Sequence, residues 1–309
     1  MPGAKVSIFI RFKRDLKTHW FIYILVLPGV LHTLLFRVSP LYGIIVAFKD
    51  YQMMRGIIGS PWVGFKHFEK LFQTPHFFKV LGNTVIINLY NILFGFTFVI
   101  ILALLLNELK VKRVKNVIQT AVYFPNFISW VIFAGIVSQL LSPSGGALNV
   151  ILSFFGKDPI YFLGEAKYFR FVLVASGMVK TAGFGTIIYL ASIAGISPEL
   201  YESAAIDGAH RGHMIRHITL PRIKPTVAVM LIISVSNLFG SNFEQVYNLY
   251  NPLVYETGDV LSTYLFRTGL IEGKFEMASA QGLVFSLLGL LIVIFTNKII
   301  SKLDVTGFF

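Results

Sequence analysis

The segment VLGNTVIINLYNILFGFTFVIILALLLN, residues 80–107, is the strongest indication of the fold in this chain. It contains no acidic or basic residue, and it is longer than the roughly 20 residues that a helix needs to cross the hydrocarbon core of a bilayer. Backbone amides without partners are very costly in lipid, so a helix is the expected structure for a segment of this length and polarity. The stretch therefore predicts a membrane-spanning helix.

Five further segments share this apolar character, although the fourth of the six contains Lys180. The whole sequence has a mean hydropathy of +0.71, and 14% of its residues are charged, whereas about 25% are charged in a soluble domain. We therefore predict an all-α integral membrane protein with six transmembrane helices. The six segments are 18–36, 80–107, 116–141, 171–196, 225–243 and 277–297.

The basic residues are unevenly divided between the two sets of loops. If the N-terminus is cytoplasmic, segments 1–17, 108–115, 198–224 and 298–309 face the cytoplasm and hold 15 basic and 6 acidic residues. The opposite loops hold 10 basic and 9 acidic residues. This asymmetry follows the positive-inside rule and predicts that both termini are cytoplasmic. It also accounts for the net charge of +12 without a surface for nucleic acid.

The first apolar segment follows a basic stretch, as a signal peptide does, but no small-residue cleavage pattern follows it. We expect it to remain as an anchor. The predicted organisation is a cytoplasmic N-terminus (1–17), a first helix with an extracytoplasmic loop (18–79), a five-helix core (80–303) and a cytoplasmic tail (304–309). The chain contains no cysteine, so the sequence indicates no disulfide, thiolate nucleophile or cysteine-ligated metal.

Between the fourth and fifth predicted helices, the sequence ISPELYESAAIDGAH at 196–210 has the pattern of a short helix and a turn. Ser197 is suited to cap this helix, Pro198 to its first position and Glu199 to its positive N-terminal end. Gly208 permits a tight turn. A second helical stretch then runs until Pro221 and Pro225, where we expect it to break. Segment 197–225 is thus predicted to be a helix-turn-helix that protrudes from the membrane.

The residues of this loop carry a family resemblance. Glu202-Ser203-Ala204, then Ile206-Asp207-Gly208-Ala209 and, after eight residues, Ile218-Thr219-Leu220-Pro221 resemble the E-A-A loop of binding-protein-dependent ABC importer permeases with a MetI-like fold. The departure is Ser203, where the family has alanine. The resemblance implies that the loop is a coupling helix seated in a cleft of a cytoplasmic ATPase. The implied contact residues are Glu202, Ser203, Ala204, Ile206, Asp207, Gly208, Ala209, Leu220 and Pro221.

Other short segments are similar to the sugar-permease branch that handles oligosaccharides and polysaccharide fragments. This resemblance implies a second homologous permease, two ATPase subunits, an extracytoplasmic solute-binding lipoprotein and a location in the bacterial cell membrane. It also implies alternating access driven by ATP and Mg on the ATPases. A loop of the form G-x-x-x-x-G-K-[ST] is absent from the chain itself, so we expect it to bind no cofactor. The similar segments are Leu27-Pro28, 39–43, 48–51, 59–64, Asn83-Thr84 and 123–125.

Polar residues inside the apolar segments are candidates for a solute path. Lys180 lies near the middle of the fourth segment, and it could line the path, pair with an acid of the second permease or reach the headgroups. Asn237, Ser241, Asn242 and Glu244 cluster at the end of the fifth segment. Amides and carboxylates match sugar hydroxyls, although hydrogen bonds between helices explain such groups equally well.

Several other functions have weaker support in the sequence. His210, His213 and His217 have the spacing of a metal-binding face, but the neighbouring basic residues favour a basic interfacial surface and no metal. Nothing resembles a paired-carboxylate or nucleophile-and-base site, so an enzyme is not indicated. A channel or secondary transporter would use acidic residues within the helices, whose cores here lack Asp and Glu. An ABC importer permease for a non-sugar solute remains the nearest alternative.

Overall fold

The structure is a computed structural model that describes residues 16–239 and 242–301, with side chains up to residue 298. Within these ranges the chain is helical, and its one extended pairing is an antiparallel bridge between Lys49 and Trp62. The prediction of an all-α protein is therefore confirmed for this part of the chain. The predicted tail, 304–309, and most of the predicted N-terminal segment, 1–17, lie outside the described residues.

The helices form one bundle, and single turns at Gly56–Gly59, Pro252–Val254 and Tyr255–Gly258 connect parts of it. We number the longer ones in chain order. They are α1 (Trp20–Phe48), α2 (Lys66–Gln73), α3 (Pro75–Glu108), α4 (Lys112–Phe127), α5 (Trp130–Leu140), α6 (Ala147–Phe154), α7 (Ala166–Ala194), α8 (Pro198–Ile206), α9 (Arg211–Ser236), α10 (Phe243–Leu249), α11 (Leu261–Phe266, followed by a wider turn at Arg267–Ile271) and α12 (Phe275–Ser301).

Helices α1, α3, α7, α9 and α12 are long and apolar enough to span a membrane. The third predicted helix, 116–141, is not continuous, because α4 and α5 meet at an angle of 109°. Pro125 lies in the last turn of α4, where its ring and missing N–H disfavour continuation, and the Ser129 side chain caps the start of α5. The prediction of a single third helix was wrong, and the pair makes a sixth span only if its two arms count together.

The prediction that the helix after the turn breaks at Pro221 and Pro225 is wrong. Helix α9 runs through both residues from Arg211 to Ser236, so the fifth predicted span, 225–243, begins earlier and ends earlier. A π-helical turn at Ile215–Thr219 ends two residues before Pro221. Such a turn widens the helix by one residue, which relieves the clash between a proline ring and the preceding turn.

Helix α7 is the centre of the bundle: half of its apolar window is buried, against none of the window of α1. Its approach to α4 depends on Gly183. A Cβ atom there would lie 2.6 Å from the Cα atom of Tyr123, which is closer than van der Waals contact allows. The two backbones therefore touch, as small residues commonly permit between membrane helices.

Loop contacts define two ends of the bundle. At the first, which we call the Asp259 end, Lys79 Nζ lies 2.7 Å from Glu256 Oε1 and the ring of Tyr51 packs against Phe275. At the opposite Gly208 end, Arg211 Nε lies 3.9 Å from Glu108 Oε2. The two candidate functional regions are the Gly208 end itself and the interior between the two ends.

Candidate functional sites: an exposed helical turn and a polar cavity

Helix α8 begins where the sequence predicts. Ser197 occupies the N-cap position, Pro198 the first helical position and Glu199 the first turn. The Ser197 hydroxyl makes no capping hydrogen bond, so the predicted side-chain cap is absent. The proline and the favourable charge of Glu199 at the helix N-terminus remain as the local start signals.

The end of α8 depends on Gly208. Its φ of +78° lies in the left-handed region, where residues with a Cβ are strained. The Ala209 N–H donates to the Ala204 carbonyl at 2.9 Å, and the Gly208 N–H donates to the Ala205 carbonyl at 3.1 Å. This is the Schellman arrangement, and it turns the chain sharply from α8 into α9.

The outer surface of this turn is uncovered in the chain. Glu202, Ser203 and Asp207 are exposed, and Ile206 is 87% exposed although it is a large aliphatic residue. Ala204 and Ala209 are half-buried. An aliphatic side chain flanked by two carboxylates and small residues is a surface that a protein partner can cover.

A hydrogen bond ties α8 to the base of α9. The Tyr201 hydroxyl lies 2.9 Å from the hydroxyl of Thr219, which is buried in the π-helical turn. Leu220 packs against a buried cluster that includes Ile223, whereas Pro221 is exposed. A side-chain hydrogen bond therefore joins α8 to α9, which runs through the bundle.

The three histidines of this end do not form a metal site. His210 Nδ1 accepts from the His213 N–H, and the rings of His213 and His217 stack at 4.0 Å. Over residues 16–239 and 242–301, no group of three His, Cys, Asp or Glu residues is placed to hold a metal ion. The histidines belong to the exposed surface of the first turns of α9.

A cavity of about 560 Å³ lies in the interior between α3, α7, α9 and α10, with Trp130 at its wall. Its polar lining is dominated by side-chain amides, and its apolar lining includes several aromatic rings. The only ionisable carboxylate in this lining is that of Glu244. The amides are Asn88, Asn91, Asn237, Asn242 and Gln245, and the aromatic residues are Phe96, Trp130, Phe184, Tyr189 and Phe243.

Three of the predicted path residues line this cavity, namely Asn237, Asn242 and Glu244. Ser241 lies outside the described residues. Lys180 is not among the lining residues: it is 5% exposed, and its Nζ donates to backbone carbonyls at the break between α4 and α5. This contact differs from two of the three expectations for Lys180, a position on the path and a position at the headgroups; pairing with an acid of the second permease stays a prediction.

The amides of the lining differ in how firmly they are held. Asn242 has a φ of +73° and donates from Nδ2 to Asn88 Oδ1 at 3.0 Å, while buried Gln245 donates to the Leu173 carbonyl and to Ser176 Oγ. Asn237 is exposed to the cavity and donates to the Ile233 carbonyl within its own helix at 3.0 Å. Among the described residues, the Asn237 amide is therefore held within its own helix, whereas those of Asn242 and Gln245 bond to other helices.

Sequence reasoning missed Asn88, Asn91, Trp130, Thr181 and Ser234, which also line the cavity. The amides of Asn88 and Asn91 interrupt the apolar middle part of α3. Their spacing of three places them on one face of this helix. That spacing was an available signal. Which helices this face meets depends on the packing.

Sequence reasoning also missed a buried ion pair at the Asp259 end. Asp259 is 0% exposed, and both of its carboxylate oxygens accept hydrogen bonds from the Arg267 guanidinium. His76 Nε2 lies 3.2 Å from the same carboxylate, and the Arg267 guanidinium lies 4.9 Å from the ring centre of Tyr255. The segment around Asp259 is thus anchored to the first turn of α3.

The ion pair of Asp259 lies near a half-buried tyrosine, Tyr250, and an exposed ion pair, Lys79–Glu256. Burial, with a smaller effect of Tyr255, raises the pKa of Tyr250 above its ordinary value. The exposed Glu256 has its pKa lowered by the hydrogen bond that it accepts from Lys79. Asp259 and Glu256 therefore form a buried and an exposed ion pair within the same loop.

The amino-acid sequence of this chain is similar to a family of membrane transport proteins. Residues 95–304 match the family model described as "Binding-protein-dependent transport system inner membrane component". The polygalacturonan/rhamnogalacturonan transport system permease protein YteP of Bacillus subtilis (strain 168) is 40% identical over 100% of this chain and 98% of its own. The arabinooligosaccharides transport system permease protein AraP of the same organism is 29% identical over 93% of this chain and 88% of its own.

A solved structure has the same fold at higher identity. One chain of a bacterial ABC transporter involved in the import of the acidic polysaccharide alginate superposes with a TM-score of 0.88 at 42% identity, covering 94% of this chain and 99% of that one. A chain of the bacterial alginate ABC transporter in complex with an alginate pentasaccharide-bound periplasmic protein gives a TM-score of 0.89 at 42% identity, covering 96% and 99%.

Proposed function

Since this chain belongs to the family of binding-protein-dependent transport system inner membrane components, we propose that it carries an oligosaccharide or polysaccharide fragment across the bacterial cell membrane. It is a multi-pass permease subunit of an ABC transporter and not an enzyme. ATP and Mg are bound and ATP is hydrolysed by partner subunits in this proposal, so the chain itself needs no cofactor.

The observation that carries the sugar assignment is the cavity between α3, α7, α9 and α10. Amides such as Asn237 and Asn242 can donate to and accept from hydroxyl groups, and rings such as Trp130 can stack on the apolar face of a sugar. The relatives and structures compared above are named for the transport of polygalacturonan/rhamnogalacturonan, arabinooligosaccharides and alginate. These names favour a carbohydrate over the amino acids or phosphate of the alternative reading.

The proposed coupling element is the turn from α8 into α9, within segment 197–225. Exposed Ile206 and Asp207 supply an uncovered contact surface, and the Tyr201–Thr219 bond links it to α9. Docked in an ATPase cleft, α8 would move when two ATPases close on ATP. That motion would rock this chain against a second, homologous permease and expose the cavity alternately to the two sides.

The orientation that fits this scheme puts the Gly208 end and both termini in the cytoplasm. The Asp259 end then faces the solute-binding lipoprotein that delivers the cargo. Segment 80–303 would be the permease core, and segment 18–79 would add the first helix and an outer loop. The second permease would close the open side of the cavity.

One reconstitution experiment tests this proposal. The chain is co-purified with its ATPase and second permease, and the complex is reconstituted into proteoliposomes. ATP hydrolysis is then measured with binding proteins that are loaded with acidic oligosaccharides, neutral oligosaccharides or amino acids. Stimulation by a carbohydrate-loaded binding protein alone is expected. Stimulation confined to an amino-acid-loaded binding protein would overturn the sugar assignment while leaving the importer assignment intact.

The absence of cysteine makes the proposed orientation directly measurable. Ser203→Cys places one thiol on α8, and Ser144→Cys places one in the loop between α5 and α6, where Ser144 is also exposed. In right-side-out vesicles, a membrane-impermeant maleimide should label Ser144→Cys and spare Ser203→Cys. In inside-out vesicles stripped of ATPase the pattern should reverse, and the opposite result would refute a cytoplasmic Gly208 end.

Asn237→Ala should weaken transport without unfolding the chain, because among the described residues its amide bonds to Ile233 of its own helix and to no other helix. Loss of one hydrogen bond to the solute, worth about 0.5–1.5 kcal/mol, predicts a KM for uptake about 2- to 10-fold higher. Asn248→Ala is the matched control: Asn248 makes the same local bond, to the Glu244 carbonyl, and does not line the cavity. Equal KM values for the two variants would remove Asn237 from the path.

A further inference from the structure

Lys180 makes an unusual set of contacts for a lysine inside a membrane-spanning helix. Its Nζ lies 3.1 Å from the Pro125 carbonyl and 3.4 Å from the Asn126 carbonyl, and it also donates to the Ile128 carbonyl. Three acceptors match the three N–H donors of the ammonium form of lysine. Among the described residues, no carboxylate lies within 4.0 Å of Nζ.

The break between α4 and α5 deprives the carbonyls at the end of α4 of donors from a continuing helix, although the Pro125 carbonyl also accepts from the Ile128 N–H at 3.3 Å. The last carbonyls of a helix have no partner within it, and here the next helix leaves at 109° and does not continue the first. Carbonyls without partners are costly in a membrane interior. The Lys180 ammonium therefore supplies the hydrogen bonds that the bend removes from the backbone.

The same ammonium contacts the first aromatic residues of α5. Nζ lies 5.2 Å from the ring centre of Trp130 and 5.8 Å from that of Phe133, both within the range of cation–π attraction. Phe133 is buried, whereas Trp130 is half-buried and lines the cavity. Lys180 thus lies behind the cavity wall and holds a residue that forms it.

We infer that Lys180 is a positioning residue, which sets the break between α4 and α5 and presents the Trp130 ring to the cavity as a stacking surface for a sugar. The positioning part concerns this chain alone. The stacking part rests on the proposed function, because it requires a carbohydrate in the cavity.

Trp130 can report on its own position. The chain has three tryptophans, so Trp20→Phe with Trp62→Phe leaves Trp130 as the only one. In that background, once its uptake has been shown to be retained, Lys180→Met should shift the emission maximum and change acrylamide quenching about twofold or more. Lys180→Arg, which keeps a cation and several donors, should restore most of the original signal, and Lys167→Met on the exposed start of α7 should change nothing.

Uptake kinetics supply the second measurement. Loss of the cation–π contact, worth about 0.5–2 kcal/mol, predicts a KM about 2- to 30-fold higher for Lys180→Met, with kcat changed less than about twofold. Trp130→Phe, which leaves the carbonyl contacts of Lys180 in place, should raise KM in the same direction. If Lys180→Met fails to fold, Trp130→Phe still tests the stacking part, and the Trp130 signal of Lys180→Arg tests the positioning part.

The outcomes separate the two parts of the inference. Unchanged emission and quenching in Lys180→Met would overturn the positioning role. The stacking role would be overturned if Lys180→Met changed the Trp130 signal but the Trp130 emission of its parent did not respond to the oligosaccharide that the transporter imports. Failure of every carbohydrate to stimulate the transporter would instead count against the proposed function, whatever Trp130 reports.

Discussion

Asp259→Asn should lower the free energy of unfolding of this chain by about 3 kcal/mol, because it leaves the Arg267 guanidinium without its carboxylate. Removing one partner of a buried ion pair costs about 3–5 kcal/mol, and the lower value is appropriate since the Arg267 side chain keeps 17% of its exposure. Thr263 also loses an acceptor with full charge, at Asp259 Oδ1. The measurement is unfolding of the detergent-solubilised chain by urea, followed by tryptophan emission.

The exposed ion pair of the same loop is the matched control. Glu256→Gln removes the partner of Lys79 at a fully solvated position, and no measurable destabilisation is expected. The double variant Asp259→Leu with Arg267→Met should regain most of the lost stability, since an apolar pair replaces the charges without leaving either alone. Equal stabilities of Asp259→Asn and Glu256→Gln would show that the buried pair does not anchor this loop.

Glu202→Lys should abolish uptake, with a loss of about 100-fold or more, while the chain itself stays folded. The Glu202 side chain is exposed, and it takes part in none of the side-chain hydrogen bonds or ion pairs found between described residues. Its reversal therefore costs the fold little. The family resemblance implies that Glu202 meets a basic residue in the ATPase cleft. Under the proposed coupling the new lysine would repel that residue, and such like-charge contacts cost several kcal/mol. Co-purification of the ATPase and the uptake rate are the two measurements.

Glu199→Lys is the control for charge reversal, because Glu199 is also exposed but lies in the first turn of α8, away from the turn at Gly208. It should retain ATPase association. If Glu202→Lys binds the ATPase and supports uptake as Glu199→Lys does, the coupling assignment is wrong.

Gly208 separates a local backbone effect from a docking effect at the same turn. A Cβ at Gly208 would meet no atom of the chain within 4 Å, so Gly208→Trp costs the fold only the strain of a positive φ, about 1–2 kcal/mol. Its ring would project into the space of the proposed partner and block association. Gly208→Asn, which tolerates this backbone conformation, should fold well and keep more of the ATPase binding.

Much of the fold could be predicted because membrane-spanning helices have a strong local cause. A run such as 80–107 must satisfy its backbone internally in lipid, so its helical state follows from length and polarity. Local chemistry likewise predicted the start of α8 at Pro198 and the turn at Gly208. The failed predictions of helix ends concern proline, whose effect depends on its surroundings. Pro125 ends a helix where Lys180 donates hydrogen bonds to carbonyls at the break, whereas Pro221 lies inside α9 after a π-helical turn.

Three features follow from the amino-acid sequence without a structure: the chain consists of apolar helices, a polar turn lies between the fourth and fifth predicted spans, and this turn resembles a coupling loop. The polar groups that meet one another are known from the packing of the helices. Asn88 and Asn242 are 154 positions apart yet share a hydrogen bond at the cavity, and Lys180 reaches carbonyls more than 50 positions away. Helix formation depends on residues within about one turn of each other, whereas the faces that helices present to one another depend on packing over the whole bundle.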